Sequence, residues 1–328
     1  MEEQIHLFEI IKANIPEHYR LADIIEELLE VSSNAAYRRI RGEKPLTFPE
    51  VVKISRHFNL SVDQVINQSS SEQGALFRYS IMDMNDQPSY RQYVKGLLDA
   101  LVKLKSAPEK ELLFTALDIP FYHLLKFPEL TFFKLYSWDD TVNRTRITFD
   151  EFMEKLDREP LVKMYEQITN AYAAIPAKEV WTNQTIDTVI RLLDYYFETG
   201  AFAQKKTALF LLEQLSQLMD SIRQDAENGY KGEKRTPYEM YLSSVDLANN
   251  FMLARIGDRL SCNIKLYTVN NIATDNQSLC AETEKWIRDL ISKATLISGT
   301  SGKERFRFFQ TSKNKISELV NRIEMAGA

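Results

Sequence analysis

The strongest constraint in this 328-residue chain is the spacing of apolar and capping residues between positions 21 and 66. Leu21, Ile24, Ile25, Leu28 and Leu29 recur at steps of three and four, which puts them on one face of a helix. Val31 follows, and then Ser32-Ser33, either of which can accept a backbone N–H and open a second helix over 33–41. Ala36 and Ile40 give that helix an inward face. Gly42 follows it, where a helix stop needs a residue tolerant of the left-handed conformation. Thr47-Phe48-Pro49-Glu50 has capping-box spacing with proline in the first turn, and Val51, Val52, Ile54, Ser55 and Phe58 continue that third helix. Ser61-Val62-Asp63-Gln64 repeats the capping box and opens a fourth short helix carrying Val62, Val65 and Ile66.

Charge is polarised over the same stretch. Residues 1–30 carry two basic and eight acidic side chains, whereas residues 38–56 carry six basic and two acidic ones. A local basic face on a short helix is the electrostatic footprint of phosphate binding. Exposed positions near the start and middle of the second helix, Ser33, Asn34, Tyr37 and Arg38, are the expected base-reading residues. Asparagine can pair with adenine and arginine with guanine in the major groove. Arg39, Arg41 and Lys44 are the expected phosphate contacts. The competing readings are a plain solvated face and a module that binds a protein partner instead of DNA.

The run over residues 18–67 resembles the Cro/lambda-repressor-like helix-turn-helix family. The residues that carry the likeness are Val31-Ser32 ahead of the second helix, Arg38 and Arg41-Gly42 at its end, and Phe58-Asn59-Leu60-Ser61-Val62-Asp63 closing the module. Leu21-Ala22-Asp23 departs from the family by offering no glutamine at the start of the first of the two helices. The resemblance implies a recognition helix over about 33–41 laid in the major groove of double-stranded DNA. The whole layout is also similar to bacterial regulators with a short N-terminal helix-turn-helix and a long C-terminal domain of unassigned role. That similarity implies transcription control and supplies no ligand.

Composition sets the outer limits. With net charge −5, attraction to nucleic acid has to be local rather than global. The N-terminal MEEQIHLFEII is acidic and amphipathic, unlike a targeting peptide, and no apolar run approaches 18 residues. The expectation is a cytoplasmic protein with no membrane contact, its Cys262 and Cys280 reduced and packed. Residues 4–15 read as an amphipathic helix packed on the module through Ile5, Leu7, Phe8, Ile11 and Ile15.

The expected division is a helix-turn-helix domain over 1–68, a linker over 69–79 and a larger domain over 80–328. The fold class expected is mainly α, with helices near 89–106, 120–138, 149–157, 160–174, 183–198, 203–227, 237–249, 277–293 and 302–325. One small β-hairpin, turned at Gly257-Asp258-Arg259 within residues 250–270, is the exception, and a helix through 240–257 competes with its first strand because Leu247, Phe251 and Ala254 also fit helical spacing. Residues 119–138 hold seven aromatics in twenty positions, which predicts a ring-packed core before it predicts an effector pocket. Residues 298–307, SGTSGKERFR, could present backbone N–H groups to an anion, with Gly299, Gly302, Lys303 and Arg305 as the candidate effector site. A nucleotide loop is excluded, because Ile297 stands where its first glycine belongs and Glu304 where a hydroxyl residue should follow the lysine. The four histidines, His6, His18, His57 and His123, make no metal-ligand spacing, and no nucleophile elbow or dinucleotide fingerprint occurs. The reading is therefore no enzyme, no cofactor and no metal. Its partners would be double-stranded DNA, a second copy of the chain as a homodimer, and a small-molecule or protein effector.

Overall fold

The computed structural model describes residues 2–15, 19–58, 60, 62, 75–79, 87–143, 147–266 and 270–326. The chain divides into two compact units, Met1–Leu76 and Phe77–Ala328. The fourth helix expected from Ser61 and most of the linker expected over 69–79 lie outside the described residues.

The first unit contains α1 (Glu2–Asn14), α2 (Leu21–Leu29), α3 (Ser33–Ile40) and α4 (Phe48–His57). Their apolar stripes meet in one core of Leu7, Phe8, Ile11, Ile25, Leu29, Ala36 and Ile54. Each large aliphatic or ring side chain buried this way contributes roughly 1.5–3 kcal/mol. The N-terminal helix thus belongs to the module, although Ile5, expected on its inner face, is 40% exposed.

The second unit overturns the expectation of a helical domain with one hairpin. It holds a nine-stranded mixed sheet. The strands are β1 (Arg78–Tyr79), β2 (Lys110–Ala116), β3 (Ala177–Trp181), β4 (Tyr230–Lys231), β5 (Thr236–Leu242), β6 (Phe251–Ile256), β7 (Arg259–Lys265), β8 (Asn271–Thr274) and β9 (Thr295–Leu296). Their order is β1-β8-β7-β6-β2-β3-β5-β4, with β9 also on β5. β2, β3 and β5 run parallel, with Phe114 opposite Glu179 and Glu179 opposite Met240. From β2 to β6 the pairing turns antiparallel and stays so to the edge. The expected hairpin at Gly257-Asp258 is present as β6–β7, but it is two strands of the nine. The helix expected over 237–249 is replaced by β5, which pairs with three other strands.

Helices cover both faces of this sheet. They are α5 (Gln87–Ser106), α6 (Phe121–Leu124), α7 (Pro128–Asn143), α8 (Phe149–Lys155), α9 (Arg158–Ala173), α10 (Asp187–Glu198), α11 (Lys205–Asn228), α12 (Gln277–Lys293) and α13 (Gly302–Met325). Alternation along β2 sorts the layers. Leu112, Phe114 and Ala116 face the large core, which also takes Phe132, Phe133, Leu211 and Phe308 from α7, α11 and α13. Leu113 faces the other way, with Leu253, Cys262, Cys280 and Ile287, under α12. Both cysteines are free thiols within that second layer, and burial pushes Cys280 up to about 11. The long α11 shows why the helices form. Its buried residues Ala208, Leu211, Leu212, Leu215, Leu218, Met219 and Ile222 recur at three- and four-residue steps, and Gly229 ends it at φ 71°. Among the described residues no helix is long and apolar enough to cross a membrane.

A charged group sits in the large core. Glu179, in the middle of β3, is fully buried and accepts from His123 Nε2 at 2.9 Å, Trp181 Nε1 at 2.8 Å, Tyr238 OH at 2.9 Å, and Tyr172 OH. Lys231 lies over the Tyr172 ring at 3.2 Å. Four donors to one carboxylate are what make its burial tolerable.

Candidate nucleic-acid interface

The geometry of α3 is set at both ends. Ser32 caps its start by accepting from Ala35 N, at 3.4 Å. At its end Gly42 takes φ 73°, with Gly42 N donating to Arg39 O at 3.0 Å and Glu43 N to Arg38 O at 2.8 Å. That pair of bonds is a Schellman closure, and it needs a left-handed residue at Gly42. The turn before α3 is closed the same way, with Glu30 at φ 55° and Val31 N donating to Glu26 O at 3.2 Å. So α2 and α3 are joined by a tight turn of defined geometry.

Successive helical residues are about 100° apart, so Ser33, Asn34, Tyr37, Arg38 and Arg41 fall within an arc of about 140°. All five are exposed, and Tyr37 keeps 45% of its surface. The structure therefore brings the four expected base-reading residues onto one open face. Arg41 continues that face, and Lys44 is exposed in the loop that follows. Glu43 stands between Arg38 and Arg41, 3.8 Å and 2.9 Å from their Nε atoms. Such exposed pairs are worth little and open readily to a phosphate.

Arg39, expected among the phosphate contacts, is turned inward and only 5% exposed. Its guanidinium donates to Glu50 Oε1 through Nε at 3.1 Å and Nη2 at 2.7 Å, and to Ala35 O through Nη1 at 3.1 Å. The other oxygen of Glu50 accepts from Thr47 N at 2.8 Å and so caps α4. Burial pushes the Glu50 carboxyl up, but Arg39 and the Thr47 N–H outweigh it and hold it below the usual carboxylate range. One carboxylate thus ties α3 to the start of α4. Periodicity carried this signal, because Arg39 lies three residues after the inward Ala36 and beside the inward Ile40.

Gln4 was not singled out by its sequence context. Its Nε2 donates to Arg39 O at 2.6 Å and Lys44 O at 2.9 Å, and its Oε1 accepts from Leu46 N at 2.9 Å. The side chain of α1 therefore fixes the loop that presents Arg41 and Lys44.

The second candidate, around 299–305, lies at the start of α13. Gly299 is left-handed at φ 65°, and its N–H donates to Ala226 O at 2.8 Å. Arg305 Nη1 donates to Ile297 O at 3.1 Å and Gly299 O at 2.8 Å. Arg305 thus closes the loop on itself and the Gly299 N–H ties it to α11, while Gly302 and Lys303 face solvent. Among the described residues no group of three His, Cys, Asp or Glu side chains could hold a metal ion.

Comparison with known proteins bears on the first unit and the start of the second. Residues 9–100 match the model of the BetR domain, a helix-turn-helix-like family of DNA-binding domains. The match takes in α2, α3 and α4 and covers less than a third of the chain. No curated protein and no solved structure matches the chain. The N-terminal part of this chain is thus similar to a DNA-binding, regulator-type module.

Proposed function

We propose that the chain is a sequence-specific transcription regulator that lays α3 in the major groove. The observation that carries this reading is the single open face of α3, flanked by the exposed cations Arg41 and Lys44. Ser33, Asn34, Tyr37 and Arg38 read base edges. Arg41 and Lys44 bind phosphates, and Arg39 positions the helix from behind through Glu50. Eight residues of helix span about 12 Å and read only a few base pairs. A second copy of the chain doubles the site, with half-sites about one helical turn apart. The second unit serves dimerisation or effector sensing, and an effector shifts DNA affinity only by as much as it prefers one arrangement of the two heads.

The test is selection of genomic fragments by the purified chain, followed by anisotropy titration of a selected fragment at two salt concentrations. Specific, salt-sensitive binding that falls in Arg38→Ala is expected. Binding no tighter than to random DNA, or unchanged in Arg38→Ala, overturns the reading. Phe48, 78% exposed at the start of α4, favours the alternative of a protein-binding module. A protein complex lost on Phe48→Ala and indifferent to salt would establish that alternative.

A further inference from the structure

A cavity of about 150 Å³ opens in the second unit at the carboxyl end of β2, where the sheet passes from parallel to antiparallel pairing. Side chains take over the pairing there. Thr115 Oγ1 donates to Asn249 O at 2.8 Å and accepts from Phe251 N at 2.9 Å, and Asp118 N donates to Asn250 Oδ1 at 3.0 Å. Phe114, Tyr122, Phe251 and Leu97 give the cavity apolar walls. Tyr122 is stacked on Tyr172 with centroids 4.9 Å apart, and Tyr172 OH donates to Glu179.

One end of the cavity is charged. Asp118 Oδ2 accepts from Lys134 Nζ and from Lys265 Nζ at 2.7 Å, and Asp118 Oδ1 accepts from Ile119 N at 2.8 Å. The carboxylate accepts three hydrogen bonds, whereas each ammonium has three N–H groups and spends one on it. Two cations face one anion, which leaves one positive charge in excess. The excess belongs to the triad as a whole, in which the Lys134 side chain is 3% exposed and that of Lys265 keeps 26%. Burial pushes Lys134 down to about 8 even though Asp118 pulls it up. A largely buried triad with one positive charge in excess, beside ammonium N–H groups that have no other partner among the described residues and a ring-lined space, fits a ligand with one negative charge and an apolar body. A dianion would replace one uncompensated charge by another.

We propose that this cavity binds a small monocarboxylate, its carboxylate on Lys134 and Lys265 and an apolar body of about benzene size among Phe114, Tyr122 and Phe251. A cavity of this volume with apolar walls holds a benzene ring. The assignment of this ligand as the effector rests on the regulator reading; its binding does not.

The charged groups facing Lys134 are Asp118 and Lys265. Across the cavity burial pushes Tyr93 up to about 12 and Tyr122 higher, so both stay neutral. The ligand binds as a carboxylate to the ammonium form of Lys134, so affinity holds from about pH 6, above the acid's own titration, and falls as pH rises through about 8.

The test is calorimetric titration of the full chain, without DNA, using benzoate and 3-methylbutanoate, with benzamide as the uncharged control. At least one acid is expected to bind, at least tenfold tighter than benzamide, and to weaken between pH 7 and pH 9. Lys265→Met, at the rim, keeps the Asp118–Lys134 pair and should weaken the acid at least tenfold. Leu97→Trp fills the cavity and should abolish binding of acid and amide alike. No heat from either acid at about 10 mM, where a site of millimolar affinity is filled, overturns the proposal. So does benzamide binding as tightly as the acids, or Lys265→Met binding them like the parent chain. Because the titration holds no DNA, failure of the regulator reading and failure of this one register separately.

Discussion

Successive residues of a helix point about 100° apart, so Arg38 and Arg39 face opposite environments although their side chains are chemically identical. Arg38 meets solvent beside Glu43; Arg39 is buried against Glu50. Arg39→Ala should destabilise the first unit by about 2–3 kcal/mol, because it strands a carboxylate that is only 17% exposed. Arg38→Ala should stay within about 0.5 kcal/mol of the parent and lose DNA affinity instead. Chemical unfolding beside DNA titration reads both, and the reverse order would sink this division of labour. Glu179 makes the same point inside the second unit. Burial raises its carboxyl, but His123, Tyr172 and Lys231 outweigh that and hold it at about 2. Its folded value lies below the ordinary 4.5, so the stability it contributes is present above that value and lost as pH falls toward 2. Asp118, also held at about 2 against its burial by Lys134 and Lys265, acts in the same direction. Tyr238→Phe deletes one donor to Glu179 and should move the acid transition, followed by tryptophan fluorescence, to higher pH. An unmoved transition would show that Glu179 does not govern it.

At the scale of elements, what was legible is what a helix encodes within a turn or two. Ser32, Gly42 and the Thr47–Glu50 pair act at the ends of α3 and α4, and the apolar stripes of α1 to α4 share one core. Glu30 is the strained member. It is a non-glycine residue at φ 55° whose charge sits at the unfavourable C-terminal end of the α2 dipole. Glu30→Gly should raise the stability of the first unit by about 0.5–1 kcal/mol. An unchanged or lower Tm would refute the strain. Strands were far less legible. β2 and β3 lie between helix layers, and strands buried on both faces lose the alternation that marks a half-exposed one. In β3 the sequence Ala177-Lys178-Glu179-Val180-Trp181 looks too polar for a central strand, because the four donors to Glu179 come from residues 123, 172, 181 and 238. The expected helix over 237–249 fell for a related reason. Pro237, Tyr238, Met240 and Leu242 are placed by pairing with β3 and β9, which are distant in sequence, and with β4, which four residues separate from the start of β5.

At the scale of the whole molecule, a net charge of −5 and a locally basic helix face predict how salt acts. A dimer placing Arg41 and Lys44 of each copy on phosphates neutralises four of them, so log affinity should fall with log salt at a slope of about −4. Lys44→Ala removes two of these contacts and should cut the slope by about 2 while leaving the preferred site unchanged. A slope near zero would exclude the phosphate contacts, and an altered site preference would make Lys44 a base reader.

By itself the sequence determined the helix-turn-helix and its open face, because caps, stripes and the glycine stop act within a few residues of one another. It also determined that Cys262 and Cys280 would be packed thiols. Only the tertiary structure decided the strand order, the pairing of Arg39 with Glu50 and the cavity. These depend on pairs such as Arg39–Glu50 and on the triad of Asp118, Lys134 and Lys265. The members of that triad come from a loop, a helix and a strand separated by up to 147 positions, and burial gives them a meaning that residue type alone does not carry.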